Sequence, residues 1–230
     1  MPRLPRELTV HENLSVHKVW RGHNREWNLS SESEKHKYTD LLREEIQKQS
    51  NLLTAACLMS NHVHEIYQLK QLKPFSDFMR RHHGRYGAYF NKKHDRRGKV
   101  AQDRPFVANI EAQDDVEMRI CFYIHANPVR AKMVKDAKQY RWSTHRLYAF
   151  GLKENWMEKV VFPGWYLRLG RNMLERQRKY RKLFDAYLRE EGMLKKAYSV
   201  YGIGGALWLD QRRQAVLNVL REFKASSSPP

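Results

Sequence analysis

Cysteine is scarce in this 230-residue sequence: only Cys57 and Cys121 occur, each inside an apolar stretch. They are too few and too isolated for a structural zinc site, and in a reducing compartment they read as small core residues rather than a disulfide. Acidic residues are outnumbered, 25 Asp and Glu against 43 Lys and Arg, for a formal net charge of +18. That excess costs self-repulsion in the compact state and points to a polyanionic partner, nucleic acid first, because each neutralised phosphate releases condensed counterions. Long apolar runs are missing too. No segment approaches the ~18–20 residues of a membrane span, and Met-Pro-Arg-Leu-Pro-Arg-Glu at the start has no signal-peptide apolar core. The expectation is a cytoplasmic protein with no membrane partner. No internal repeat is visible.

The patterns that are present alternate between strand and helix. Leu14 to Trp20 alternates as a strand does, and Ser33 is placed to cap a helix from Glu34 to Gln49. Leu52 to Met59 and His62 to Leu69 read as neighbouring strands across a Ser60-Asn61 break. Pro74 marks a helix start leading into Phe75 to Asn91, and Phe106 to Ile110 reads as a strand. A helix from Asp114 to Ala126 follows, ended by Asn127-Pro128. The order predicts an α+β fold: a ferredoxin-like antiparallel sheet with helices on one face, followed by a helical C-terminal extension. Helices are expected over Leu174 to Leu188 and Leu207 to Phe223, with a disordered Ser-Ser-Ser-Pro-Pro tail. The division is drawn at 150, with a catalytic domain over 1–150 and a basic helical extension over 151–230. Arg168 to Lys182 carries seven Lys/Arg against one Glu.

His62-Val63-His64 is the sharpest local feature. On a strand both imidazoles project from one face, making a partial metal site that needs a further ligand. Tyr123 and Asn127, four apart, share a face of the helix from Asp114. The tyrosine has a phenol able to attack phosphorus, and the asparagine an amide oxygen able to complete a coordination shell. On spacing alone the plainer readings stand ahead: two hydrogen-bonded histidines, and a core tyrosine with its hydroxyl satisfied.

Five ordered motifs change that balance. Leu58-Met59-Ser60-Asn61-His62-Val63-His64 resembles the Leu-Met-Pro-Asn-His-Val-His signature of the insertion-sequence and REP-associated tyrosine transposases, within the HUH endonucleases. Trp20-Arg21-Gly22-His23-Asn24-Arg25, Arg85-Tyr86-Gly87-Ala88-Tyr89-Phe90-Asn91 and Gln102-Asp103-Arg104 resemble that family's turn, helix and loop motifs. Tyr123-Ile124-His125-Ala126-Asn127-Pro128-Val129-Arg130-Ala131 resembles its tyrosine motif. The similarity covers about Ser15 to Ser143, with a weaker echo of the REP-associated subgroup through Tyr166–Gly170 and Tyr180–Phe184. The resemblance implies that His62, His64 and Asn127 bind Mg²⁺ or Mn²⁺ and that Tyr123 forms a 5′-phosphotyrosine link. It also implies a metal-dependent endonuclease and strand transferase acting on single-stranded or hairpin DNA, often palindromic repeats, as a monomer or homodimer.

Ser60 stands where the family has Pro, Glu65 where an apolar residue is common, and Ala101 where an aromatic is frequent. By alternation Glu65 faces away from the histidines and is not a ligand. The candidate DNA contacts are Arg80, Arg81, Arg85, Lys92, Lys93, Arg96, Arg97, Lys99, Arg104 and Arg130, with the loop after Asn91 placed better than the helix before it. Tyr86 and Phe90 read as core-facing, and His17 as structural. The competing readings are a domesticated hairpin-binding protein that does not cut, and an RNA-binding protein.

Overall fold

The computed structural model describes residues 4–190 and 198–226. A short helix α1 (Arg6–Thr9) leads into strand β1 (Leu14–Arg21), helix α2 (Glu32–Ile46), strands β2 (Leu52–Leu58) and β3 (His62–Leu69), and helix α3 (Leu72–Lys93). Strand β4 (Phe106–Asn109) and helix α4 (Asp114–Arg130) follow. Beyond them come α5 (His145–Phe150), α6 (Gly164–Leu167), α7 (Met173–Arg189), the hairpin β5 (Tyr198–Ser199) and β6 (Gly202–Ile203), and α8 (Ala206–Ser226). Strands β1 to β4 form one antiparallel sheet in the order β2-β3-β1-β4. The α+β class and the ferredoxin-like strand order are those the sequence predicts, and the expected C-terminal helices follow, but α4 packs on the sheet face opposite α2 and α3, so helices cover both faces rather than one. Residues 227–230, most of the tail expected to be disordered, lie outside the described residues. No described helix is long and apolar enough to cross a membrane.

Helix α3 begins at Leu72, ahead of Pro74, and α2 ends at Ile46 rather than Gln49, and two further boundaries differ for a clear local reason. Ser31, not Ser33, caps α2: its hydroxyl accepts from the Glu34 N–H at 3.2 Å, and the Glu34 carboxylate accepts from the Ser31 N–H at 2.9 Å. This reciprocal pair satisfies two otherwise orphaned donors, which a cap at Ser33 would not. Helix α4 runs through Pro128 to Arg130 instead of ending at Ala126. A proline there removes only one N–H, and the Asn127 carbonyl still accepts from the Ala131 N–H at 2.8 Å. Asn127 is thereby kept in helical register with Tyr123.

The period-2 pattern of the strands divides the structure into two layers. Val63, Glu65 and Tyr67 of β3 face α2 and α3, where the Tyr67 ring packs 4.9 Å from Phe75 and Trp20 of β1 packs 5.5 Å from Tyr38. Glu65 sits opposite Lys18 in the β1–β3 register, and the two make a hydrogen-bonded ion pair with both side chains fully buried. Burying either charge alone is costly, so Glu65→Ala is expected to cost roughly 3–5 kcal/mol by urea unfolding. The paired change Lys18→Met with Glu65→Leu is expected to recover most of that loss. A double variant no more stable than the single one would show that the charges matter for more than each other.

His62 and His64 project from the opposite face, toward α4. Phe122 fixes that helix from behind, with its ring centroid 5.3 Å from Tyr180, 5.6 Å from Phe184 and 5.7 Å from Tyr187 of α7. His125, also on the far side, bonds the Tyr180 hydroxyl at 2.6 Å and the Thr144 hydroxyl at 2.7 Å. The segment from 151 onward thus contributes to the same hydrophobic cluster as the sheet. Its packing leaves Tyr123, next to Phe122 in the chain, turned toward the histidines. Cys57 and Cys121 are free and buried.

Candidate active site

His62 and His64 lie two apart on β3 and share a face, with ring centroids 4.8 Å apart and planes nearly perpendicular. Each has its Nδ1 occupied. Nδ1 of His62 is 2.6 Å from the Asn61 side-chain oxygen, and Nδ1 of His64 is 2.9 Å from Nε2 of His17. No hydrogen bond holds Nε2 of either ring among the described residues. Burial, with Arg21 nearby, lowers the pKa of His62 to about 4. Burial and the neighbouring His17, His62 and Arg21 hold His64 well below the ordinary histidine value. Both rings are therefore neutral near pH 7, as a metal ligand must be.

Tyr123 approaches from α4. Its ring centroid is 5.6 Å from that of His64, edge to face. Burial raises its pKa, against the opposing pull of Arg130 and Arg21. Asn127 is one helical turn further on, half-buried, and its Nδ2 is enclosed without a hydrogen-bond partner. The Nδ2 group can only donate, so the Asn127 atom able to ligate a cation is its amide oxygen. Among the described residues no three His, Cys, Asp or Glu side chains converge on one point. The two neutral imidazoles side by side, with no thiolate near them, suit a borderline divalent ion with open positions, and Asn127 lies on the helix face that carries Tyr123.

A cavity of about 370 Å³ opens in front of His64 and Tyr123, lined by His17, Val19, Arg21, His64, Gln102–Phe106, Tyr123 and Tyr198; His62 and Asn127 are not in its lining. Two loops shape its rim. The backbone after β1 turns at Gly22, where a Cβ would lie 2.5 Å from the Glu26 carbonyl oxygen, so no larger residue fits without moving the turn. The Gly22 N–H donates to the Asn61 carbonyl at 2.9 Å, which ties the turn to the histidine strand. The loop after α3 returns along β1, with the Gln102 N–H donating to the Arg21 carbonyl at 3.0 Å, and brings Arg104 to the cavity.

The basic residues singled out by sequence are distributed unevenly. Arg81 and Arg85 are in the layer behind the sheet, bonded to Glu45 at 2.8 and 2.9 Å. Arg80 beside them pairs with Asp77 at 3.3 Å, and Lys93 donates to Ser33 at 2.8 Å. Tyr86 and Phe90 of the same helix are buried. Arg96 pairs with Glu26 at 2.6 Å, while Lys92, Arg97 and Lys99 are exposed on and after the end of α3. Arg130 donates to the Tyr187 hydroxyl at 3.0 Å and stacks on that ring. Sequence reasoning missed Arg21 at the cavity and gave His17 only a structural part. Both were within reach of it, because His17, Val19 and Arg21 share a face by simple alternation. Tyr198, 181 residues from His17, had no local signal.

Comparison with known proteins agrees with this fold. The structure is similar to that of a REP-associated tyrosine transposase solved bound to a REP hairpin, at 20% identity and a TM-score of 0.54, over 67% of this chain and 89% of that one. No curated protein matches the sequence. The family model of IS200-like transposases matches residues 10–127, which contain His17, both strand histidines, Tyr123 and Asn127. The chain belongs to the IS200-like transposase family.

Proposed function

We propose that this protein is a metal-dependent endonuclease and strand transferase for single-stranded DNA beside a hairpin or palindromic repeat. The observation that carries the reading is the meeting of His64 and Tyr123, from two different elements, at one cavity, with His62 packed beside His64 and Nε2 unengaged on both rings. Family membership, the fold shared with a hairpin-bound relative and the net charge of +18 support it.

In this reading His62, His64 and Asn127 hold a Mg²⁺ or Mn²⁺ ion, which when bound supplies Lewis-acid polarisation of a phosphate oxygen. The chain's own residues do the rest. The Tyr123 oxygen attacks phosphorus, the P–O3′ bond breaks, the phenolic proton leaves, and the departing 3′ oxygen takes up a proton to become a free hydroxyl. DNA remains attached through a 5′-phosphotyrosine. Arg21 and Arg130 favour the anionic phenol, opposing the burial that raises its pKa. Attack by another 3′-hydroxyl reverses the step and releases the phenol, so one phosphodiester replaces another with no external energy source. Arg21, Arg104 and the exposed Lys92, Arg97 and Lys99 are placed to follow the backbone of the entering strand.

The direct test incubates the protein with Mn²⁺ and a labelled oligonucleotide carrying a hairpin with a single-stranded flank. A covalent protein–DNA adduct on the 5′ side, lost with a chelator, is the expected result. Salt-sensitive hairpin binding without an adduct on any flank sequence would favour the non-cutting alternative.

A further inference from the structure

The cavity wall includes two residues to which the chemistry above gives no role, His17 and Tyr198. The Tyr198 hydroxyl is 3.2 Å from Nδ1 of His17, and Nε2 of His17 is 2.9 Å from Nδ1 of His64. The His17 and His64 rings are stacked at 5.1 Å with planes 15° apart, and the Tyr198 ring is 5.8 Å from His17 and 6.0 Å from Tyr123. His17 is buried to 1% exposure, so each of its nitrogens depends on these two partners.

The C-terminal hairpin that presents Tyr198 is pinned to the sheet. The Ile203 carbonyl accepts from the Glu111 N–H at 2.9 Å, next to the end of β4. Arg212 of α8 donates to the Tyr201 carbonyl at 2.8 Å and to the Asn109 side chain at 2.9 Å. Gly202, at φ +152°, allows Trp208 to close over the turn; a Cβ there would come within 2.5 Å of the indole.

Three polar groups in series can order their protons in only two directions. If His17 donates to Nδ1 of His64, the one N–H proton of the neutral His64 ring sits on Nε2 and blocks it as a ligand. If instead His64 donates through Nδ1–H to Nε2 of His17, then Nδ1–H of His17 donates to the Tyr198 oxygen. Only this second order leaves Nε2 of His64 with its lone pair free. We infer that His17 and Tyr198 are positioning residues, a relay from the C-terminal hairpin that holds His64 in the tautomer able to bind a metal ion. The inference rests on the reading of His62 and His64 as metal ligands. Its sign follows from which group each substitution strands. Without the Tyr198 oxygen, the ligating order leaves a buried N–H with no acceptor, whereas the opposite order leaves only an unused lone pair.

The test is Mn²⁺ affinity of the full chain by titration calorimetry, with no DNA present. Tyr198→Phe is expected to weaken binding roughly 3–10-fold, and His17→Leu roughly 10–100-fold, the range found for partners of ligating histidines. His17→Gln, whose carbonyl oxygen can accept from Nδ1–H of His64, is expected to recover most of the affinity lost in His17→Leu. In the Mg²⁺-loaded protein, long-range ¹H–¹⁵N spectra are expected to show both His17 and His64 protonated on Nδ1. Wild-type affinity in Tyr198→Phe, or a His17 proton found on Nε2, overturns the relay while leaving the metal reading intact. A wild-type chain that binds no Mn²⁺ overturns both.

Discussion

Replacing Tyr123 with phenylalanine is expected to abolish the covalent adduct and lower DNA cleavage by roughly 10³–10⁶-fold, the range for loss of a nucleophile. The substitution removes one oxygen and leaves the ring, which packs edge to face against His64 at 5.6 Å. Because Tyr123 is only partly buried and its hydroxyl makes no hydrogen bond among the described residues, stability should be nearly unchanged. Mn²⁺ affinity should also persist, since the ligands are intact. Adduct formation followed on denaturing gels, beside a urea unfolding curve, separates lost chemistry from lost structure. Cleavage by Tyr123→Phe at the wild-type rate would remove the nucleophile assignment. Adduct retained in the variant would point to another tyrosine, and Tyr198, 6.0 Å away ring to ring, is the neighbour to examine first.

Acidification should be the strongest solution lever on the fold. Burial lowers the pKa of His17 and His82 to about 3, and that of His62 and His145 to about 4. It also holds His64, His83 and His125 well below the ordinary value. In the unfolded chain all of these titrate near 6.5, so below that pH the unfolded state binds more protons and stability falls as pH falls. The contribution is fully present above 6.5 and is lost progressively toward pH 3–4. Between pH 7 and 5 each such histidine costs roughly 1–2 kcal/mol, so several together approach the whole stability of a typical domain. Carboxylates held low by ion pairs add to the loss only further down; Glu45, lowered to about 2 by Lys48, Arg81 and Arg85 against its burial, matters below about pH 4.5. The urea midpoint, measured with chelator present, should therefore drop steeply from pH 7 to pH 5. A flat midpoint over that interval would mean that these rings take up protons in the folded state.

The layered fold was legible because its signals are local. Period-2 alternation in Leu14 to Trp20 and His62–Leu69 assigns each side chain to a face, and the polar-to-periodic change after Ser33 announces α2. The errors were local as well. The cap is Ser31 rather than Ser33 because a reciprocal bond with Glu34 needs that spacing, and Pro128, which predicts a stop, is tolerated near the helix end. The basic stretch of α3 shows the limit of charge counting. Arg81 and Arg85 look like DNA contacts in sequence, yet they meet Glu45 of α2 behind the sheet, and no run of residues announces that partner.

By itself the sequence determined that His62 and His64 share one face of a strand, that Glu65 faces the other way, and that Tyr123 and Asn127 share one face of a helix. These follow from periods of 2.0 and 3.6, properties of a single chain segment. Only the tertiary structure decided that the strand histidines and Tyr123 meet. It alone put Arg21 and Arg104 on the same cavity and set His17 and Tyr198 behind His64. A period says which way a side chain points, whereas its neighbour across space is chosen by packing: here Phe122 anchored against Tyr180, Phe184 and Tyr187 turns Tyr123 toward the histidines.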